Sequence, residues 1–349
     1  MDLSSFSIGS RTVGPGAEPF IIAEIAQAHD GSLGTAHAFI DAVADAGAGA
    51  IKFQTHVASE ESTLDEPFRV RFSLQDKTRY EYWKRMEFKK EQWKGLADHA
   101  RERGLIFLSS PFSVCAVEML REIGMPAWKV GSGEVRFRSL LDAMAENKAP
   151  ILLSTGMSDF QEIASALDLI QQKELSFALF QCTSKYPTPL DQVGLNVIDR
   201  LRSRFHCPVG LSDHSGTVFP GLAALAKGAD LLEVHVTFHK GMFGPDTSAS
   251  VTIDELRLLV EAGNAFHTMS SRPVDKDAMA KELSGTRAIF SRSLAPGRPL
   301  PAGSILERDS LTLKKPGTGI QESELEKVLG RRLVRNLAPE NLLKWEDME

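Results

Sequence analysis

From residue 20 onward, short apolar runs alternate with helix-patterned segments, the signature of repeated βαβ units. The runs are Phe20 to Ile25 (FIIAEI), Ala50 to Gln54 (AIKFQ), Leu105 to Leu108 (LIFL) and Ala127 to Val130 (AWKV). Ile151 to Leu153 (ILL), Phe177 to Gln181 (FALFQ), Val209 to Leu211 and Leu231 to His235 complete a predicted set of eight strands. The first helical pattern covers Ala36 to Ala46 and stops at Gly47. The last covers Ile253 to Phe266, with Leu256, Leu258, Leu259, Val260 and Ala262 supplying its apolar face. Eight β/α pairs in about 250 residues are what closing a (β/α)8 TIM barrel requires. An open doubly wound sheet is the structural alternative, but no GxGxxG turn follows the first strand to support it.

Two stretches break the rhythm. Between Thr55 and about Glu91 lies a connection rich in charge and aromatics (FRVRFSLQDKTRYEYWKRMEF), far longer than an ordinary βα loop. Insertions of this kind are usually lids or substrate loops at the catalytic face. After Thr268 the alternation ends, and Ser270 to Glu282, carrying Pro273, reads as a polar connector. The remainder is broken by Pro-Gly, Pro-Ala-Gly and Lys-Pro-Gly turns and reads as a small compact module. The predicted organisation is therefore a barrel over residues 1–268, a linker over 269–286 and a C-terminal module over 287–349.

Composition changes this picture mainly by exclusion. The 349 residues are 42% hydrophobic, enough for a large core, and the formal net charge is −6. Such a chain lacks the clustered basic charge that nucleic acid or an anionic membrane surface demands, so an anionic ligand must be met by a local basic pocket. Cys115, Cys182 and Cys207 are odd in number and lack paired metal spacing, which predicts reduced, buried thiols. The N-terminal MDLSSFSIGSRTVGPG has no apolar signal core, and no apolar run approaches the roughly 20 residues of a membrane span. A soluble, cytoplasmic protein is expected.

In a barrel the active site is built from the C-terminal strand ends. Here those ends are polar throughout: Glu24; Lys52 and Gln54; Ser109 and Ser110; Lys129, Ser132 and Glu134; Ser154 and Thr155; Gln181, Thr183 and Ser184; Ser212 and His214; His235. Any single serine among them could be only a helix N-cap, but eight functionalised ends in register are harder to dismiss. His214 and His235 fall on adjacent strands roughly 5 Å apart, close enough to share a metal ion. With no cysteine nearby, two imidazoles plus water and substrate oxygens suit Mn²⁺, Mg²⁺, Fe²⁺, Co²⁺ or Zn²⁺. A hydrogen-bonded histidine pair without metal is the alternative. Lys52 and Lys129 interrupt apolar strands, where an unpaired ammonium is strongly unfavourable. Both are read as facing an anion, with serine hydroxyls donating to phosphate or carboxylate oxygens. Glu24 and Glu134 remain as acid/base candidates, or as structural partners of the lysines.

These pieces resemble the sialic acid synthase family: IIAEI, IKFQT, FLSSPFS, WKVGSGE, ILLSTGM, QCTSKYPTP, GLSDHSG, EVHVTF, and GPD with Ser250. KKPGTGI in the tail resembles that family's antifreeze-like (SAF) module. The likeness implies a TIM barrel followed by a SAF domain, and condensation of phosphoenolpyruvate with an N-acetylated amino-sugar to a nonulosonic acid. It implies His214 and His235 as metal ligands, with Mn²⁺ first and Mg²⁺ or Co²⁺ as alternatives. Lys52, Ser110, Lys129, Ser132, Ser154, Ser184 and Ser212 become the phosphoenolpyruvate cradle. Tyr186, Asp246, Gln54 and Lys315 become sugar contacts, and Glu24, Glu134 and Lys129 the catalytic set.

The resemblance further implies a domain-swapped homodimer, with Lys315 reaching the partner's site. Three departures fall on the sugar side. Ala28-His29 replaces an Asn-His pair, Leu74 and Gln75 stand where an amide is expected, and Lys315 replaces an arginine whose planar fork a lysine cannot reproduce. Which amino-sugar is used therefore stays open between N-acetylmannosamine and the diacetamido-hexoses. A Schiff-base aldolase using Lys129 and a non-catalytic sugar-binding barrel are the competing readings.

Overall fold

A computed structural model describes residues 5–349 and divides the chain into two compact units, one ending at Ser271 and the other beginning at Arg272. In the first unit eight parallel strands stand where the apolar runs predict them: β1 (Phe20–Ala26), β2 (Ala50–Thr55), β3 (Ile106–Pro111), β4 (Trp128–Val130), β5 (Ile151–Ser154), β6 (Phe177–Cys182), β7 (Val209–Asp213) and β8 (Leu231–Thr237). Hydrogen-bonded ladders join them in the order β3-β2-β1-β8-β7-β6-β5-β4. Pairing of β8 with β1 turns the sheet back on itself. The barrel is nearly closed, with β3 and β4 side by side but joined by no ladder. A short strand β9 (Val251–Thr252) pairs in parallel with the end of β8.

The period-2 alternation divides each strand between two cores. Outward side chains pack under the helices. The helix Leu33–Asp45, for example, is capped by the Ser32 hydroxyl, which accepts from the Thr35 amide, and it buries Ala36, Phe39, Ile40 and Val43. It ends where Gly47 takes a positive φ of 82°. Inward side chains form a second cluster that includes Phe20, Ile22, Leu108, Leu152, Phe180 and Leu231. The hairpin Phe6–Ile8 with Arg11–Val13, turning at Gly9-Ser10, adds Ile8 and Val13 to that cluster. The apolar alternation read from residue 20 onward does not include this plug. Of the three thiols expected to be buried, Cys182 and Cys207 are, whereas Cys115 is exposed.

One interior position has no room for a side chain. A Cβ on Gly210 of β7 would lie 2.4 Å from the Leu231 carbonyl oxygen of β8. Gly210→Ala is therefore expected to destabilise the barrel by about 2 kcal/mol or more, read as a lowered denaturant midpoint at unchanged m-value.

The long second connection folds into the helices Ala58–Glu61 and Arg79–Met86, the latter opened by a Thr78/Glu81 capping box. Arg85 fastens it to the first connection by a bond to Asp30 and braces it internally by a bond to Asp76. His29 lies wholly buried beneath it, 4.8 Å centroid to centroid from Phe88, and burial pushes its imidazole down to about 3.

In the second unit the expected polar connector is helical, with Lys276–Glu282 capped by Asp275 and followed by Ser284–Phe290. Beyond it, antiparallel β10 (Ser293–Pro296) and β11 (Leu311–Lys314) enclose a separate core of Leu294, Leu300, Leu306, Ile320, Val328, Leu333, Leu337, Leu343 and Met348. No helix among the described residues is long and apolar enough to cross a membrane.

Candidate active site

Toward the C-terminal end the interior positions change from apolar to charged without changing parity. On β1 the inward series is Phe20, Ile22, Glu24; on β2 it is Ala50, Lys52, Gln54; on β8 it is Leu231, Glu233, His235. Register places Glu24 beside both His235 and Lys52. Four charged side chains meet there, each at most 3% exposed: Glu24, Lys52, Lys129 and Glu233. Lys52 is ion-paired with Glu24 and lies 3.8 Å from Glu233. The Lys129 ammonium is 3.3 Å from Glu233. Two cations and two carboxylates balance, which is how the interior tolerates them.

Serines surround this quartet. Lys52 donates to Ser110 at 3.2 Å, Lys129 to Ser154 at 2.6 Å, and Ser212 donates to Glu233 at 2.9 Å. Ser132 and Ser184 converge on Gly156, whose amide donates to Ser132 at 3.2 Å. A Cβ there would lie 2.6 Å from the Cys182 sulfur, 2.7 Å from the Ser184 oxygen and 3.0 Å from the Ser132 oxygen. The glycine leaves a small polar concavity where three side chains and an amide meet.

Electrostatics separate the two carboxylates. Burial, together with the charge of Glu233, pushes Glu24 up to about 7 against the pull of Lys52. Glu233 is pushed the other way, to about 2: burial opposes this, but Lys129, Lys52 and the Ser212 hydroxyl outweigh it. Two acids in one site thus divide into a permanent anion and a group titrating near neutrality. Burial holds Lys129 below the usual lysine range, and Glu233 resists that fall. Lys52, with two carboxylate partners, is raised despite its burial.

His214 and His235 face each other edge to face at 5.2 Å between ring centroids. The Thr183 carbonyl oxygen lies 3.0 Å from His214 Nδ1, and Tyr186 Oη lies 3.1 Å from Nε2. A carbonyl can only accept, so Nδ1 carries the proton and Nε2 presents its lone pair. Burial pushes His214 down to about 4 and His235 well below the ordinary imidazole range, so both are neutral. Tyr186 stacks on His214 at 4.2 Å, and the Arg69 guanidinium lies 4.3 Å over the tyrosine ring while bonding Asp246 at 2.9 Å.

Above this lies a cavity of about 660 Å³ lined by Gln54, Ser132, Glu134, Ser184, Tyr186 and Asp246, and by the long connection through His56, Glu61, Glu66, Arg69, Arg79 and Trp83. Burial raises Glu134 there, and the charge of Glu61 adds to the effect. Most candidates from the strand ends thus fall on the quartet, the serines around it, the histidine pair or the cavity, but four side chains do not: Ser109 bonds Thr55, and Thr155, Gln181 and Thr183 donate to the carbonyls of Phe180, Val193 and Gln192.

Lys315 belongs to the second unit, where its ammonium lies 5.0 Å from the Phe290 ring centroid. Leu74 is 96% exposed, and neither it nor Gln75 lines the cavity; Arg69 and Arg79 represent that connection instead. Reading the sequence missed Glu233, which sits two residues before His235 and shares its face. It also missed Gln27, which lines the cavity and donates to Gln54 at 3.3 Å, one residue before the apolar Ala28.

A barrel with lysines, serines and neutral histidines at one mouth, followed by a compact C-terminal unit, defines a class of synthase. Residues 39–274 match the NeuB family and residues 291–349 match the SAF domain. The chain is 33% identical to the N,N'-diacetyllegionaminic acid synthase of Legionella pneumophila, over 98% of both chains. It is 30% identical to the N-acetylneuraminate-9-phosphate synthase of Mus musculus, over 97% of this chain and 95% of that one. The crystal structure of N-acetylneuraminic acid (sialic acid) synthetase from Leptospira borgpetersenii, in complex with citrate, superposes with a TM-score of 0.71 at 30% identity, covering 81% of this chain and 96% of that one. This chain belongs to the NeuB family and is an enzyme of the sialic acid synthase type.

Proposed function

We propose that this protein condenses phosphoenolpyruvate with the open-chain aldehyde of an N-acetylated amino-sugar, giving a nine-carbon 3-deoxy keto acid and phosphate. The observation that carries this reading is the buried quartet ringed by serines directly below two neutral histidines. Lys52, Lys129, Ser110, Ser132, Ser154, Ser184 and Ser212 would hold the phosphate and carboxylate of phosphoenolpyruvate through charge-assisted bonds. Its C3 then attacks the aldehyde carbon, forming the new bond while the aldehyde oxygen takes a proton. Water adds at C2, and the C–O bond to phosphate breaks. Glu24, titrating near 7, is suited to take the proton of that water, and Glu134 to serve the sugar oxygen. Tyr186, Asp246, Gln54 and Lys315 are assigned to the sugar.

The donor set fits a divalent ion. His214 and His235 are neutral, as ligation requires, and the Thr183 carbonyl orients one of them from behind. No third His, Cys, Asp or Glu gathers with them among the described residues, so water and substrate oxygens would complete the shell, which suits Mn²⁺, Mg²⁺ or Co²⁺. When bound, such an ion supplies Lewis-acid stabilisation of charge on the aldehyde oxygen.

A phosphate-release assay with phosphoenolpyruvate, N-acetylmannosamine and the diacetamido-hexoses, repeated with each metal, tests the reading. Release should require both a sugar and a metal and should stop with chelator. Silence with every sugar overturns the substrate class. The lowered Lys129 would also suit a Schiff base, and trapping of pyruvate at Lys129 by borohydride, in chelator, would favour that alternative. A domain-swapped homodimer in which Lys315 completes the partner's mouth is part of the proposal, and a fully active monomer in sedimentation would overturn it.

A further inference from the structure

Beyond the assigned groups, the long second connection supplies one whole side of the cavity. Glu61 ends a one-turn helix, and its side chain is only 8% exposed. One carboxylate oxygen bonds His56 Nδ1; the other is buried without any hydrogen-bond partner, although Glu61 lines the cavity. The position is rigid. His56 is sandwiched between Trp83 at 3.9 Å and Phe112 at 4.5 Å, and its second nitrogen lies 3.3 Å from the Gln54 oxygen. A carboxylate oxygen can only accept, so what it lacks is a donor such as a hydroxyl or amide N–H.

The charge of the same wall narrows the donor's identity. Five carboxylates line the cavity against two guanidiniums, a formal excess of three negative charges. Both guanidiniums are already engaged, Arg69 with Asp246 at 2.9 Å and Arg79 with Glu66 at 3.3 Å. Each cation of this wall thus has a carboxylate partner, and a dianion placed against the wall's formal charge would meet net repulsion.

We propose that Glu61 is a recognition residue for the acceptor sugar, accepting from one of its hydroxyl or amide groups, and that its acidic wall selects an acceptor carrying no phosphate. This rests on the synthase reading and sharpens it. The test compares phosphate release from saturating phosphoenolpyruvate with an N-acylated hexosamine and with its 6-phosphate, in the full chain and in Glu61→Gln and Glu61→Asp.

The parent should prefer the unphosphorylated sugar at least tenfold. Glu61→Gln should raise the sugar KM about tenfold, the loss of one charge-assisted bond, and narrow that preference. Glu61→Asp keeps the charge and shortens the reach, so the sugar KM should rise with the preference retained. The phosphoenolpyruvate KM and the melting temperature should stay put in both, which a merely structural role would not allow. A parent that prefers the 6-phosphate, or a Glu61→Gln enzyme with unchanged sugar KM and preference, overturns the inference while leaving the synthase reading standing. No release with either sugar overturns both.

Discussion

Replacing Glu233 with glutamine is expected to lower kcat/KM for phosphoenolpyruvate about a thousandfold, although glutamine preserves the shape. Breaking one partner out of a buried ion pair costs about 4 kcal/mol, and here the partner serves two lysines and a serine at once. Lys129 depends on it most: burial already drives its pKa down, and Glu233 is the largest influence opposing that fall. Once the carboxylate is gone, Lys52 retains Glu24, but Lys129 keeps the Ser154 hydroxyl and only the weaker influences of Cys182 and Glu24, so its pKa falls further and its neutral form gains. A neutral amine cannot offset a phosphate. The sign of the pH response follows, because lowering the pH restores the proton: the variant's KM for phosphoenolpyruvate should improve as pH falls and worsen as it rises, more steeply than the parent's. Steady-state kinetics between pH 6 and 9, with sugar saturating, would show this. A variant with parental KM and parental pH profile would mean that Glu233 does not position the lysines.

The same residue shows what the chain discloses before it folds. The barrel was legible because eight apolar runs at helical separations admit few other closures, and the site because Lys52 and Lys129 interrupt strands where polar groups are costly while His214 and His235 close two neighbouring apolar runs. Glu233 interrupts its strand just as plainly, yet between Leu231, Leu232 and Val234 it reads as part of an apolar run. Counting by twos from His235 would have exposed it, since residues of one parity share one face. The cavity wall is different in kind. Arg69 and Asp246 are 177 residues apart, and their pairing over Tyr186 depends on the fold of an insertion that has no periodicity. Nor could a sequence show that Glu61 keeps one oxygen unpaired, because that is a statement about three-dimensional neighbours. The helical connector was partly legible in retrospect, for Asp275 after Pro273 is an N-cap signal that the polar composition masked.

His214→Ala and His235→Ala should each abolish phosphate release to below about one-thousandth of the parent rate, the several kcal/mol that Lewis-acid stabilisation supplies. The geometry argues for ligation over packing. An imidazole kept for packing alone could carry its proton on either nitrogen, whereas His214 is locked with Nδ1–H toward the Thr183 carbonyl and its Nε2 lone pair facing Tyr186 and the mouth. Burial keeps both rings neutral without any carboxylate bonded to either, so neither is prepared to act as an acid. A readout independent of turnover separates ligation from simple damage. Manganese titrated into stripped parent protein should raise its melting temperature, by mass action on the folded state, and each alanine variant should lose that rise while keeping the metal-free melting temperature within a few degrees. If both variants kept the manganese-dependent rise, the histidines would not be the ligands. If chelator left the parent's phosphate release intact, the pair would be no more than buried hydrogen-bonding groups, and the charge on the aldehyde oxygen would have to be met by Tyr186 and the lysines alone.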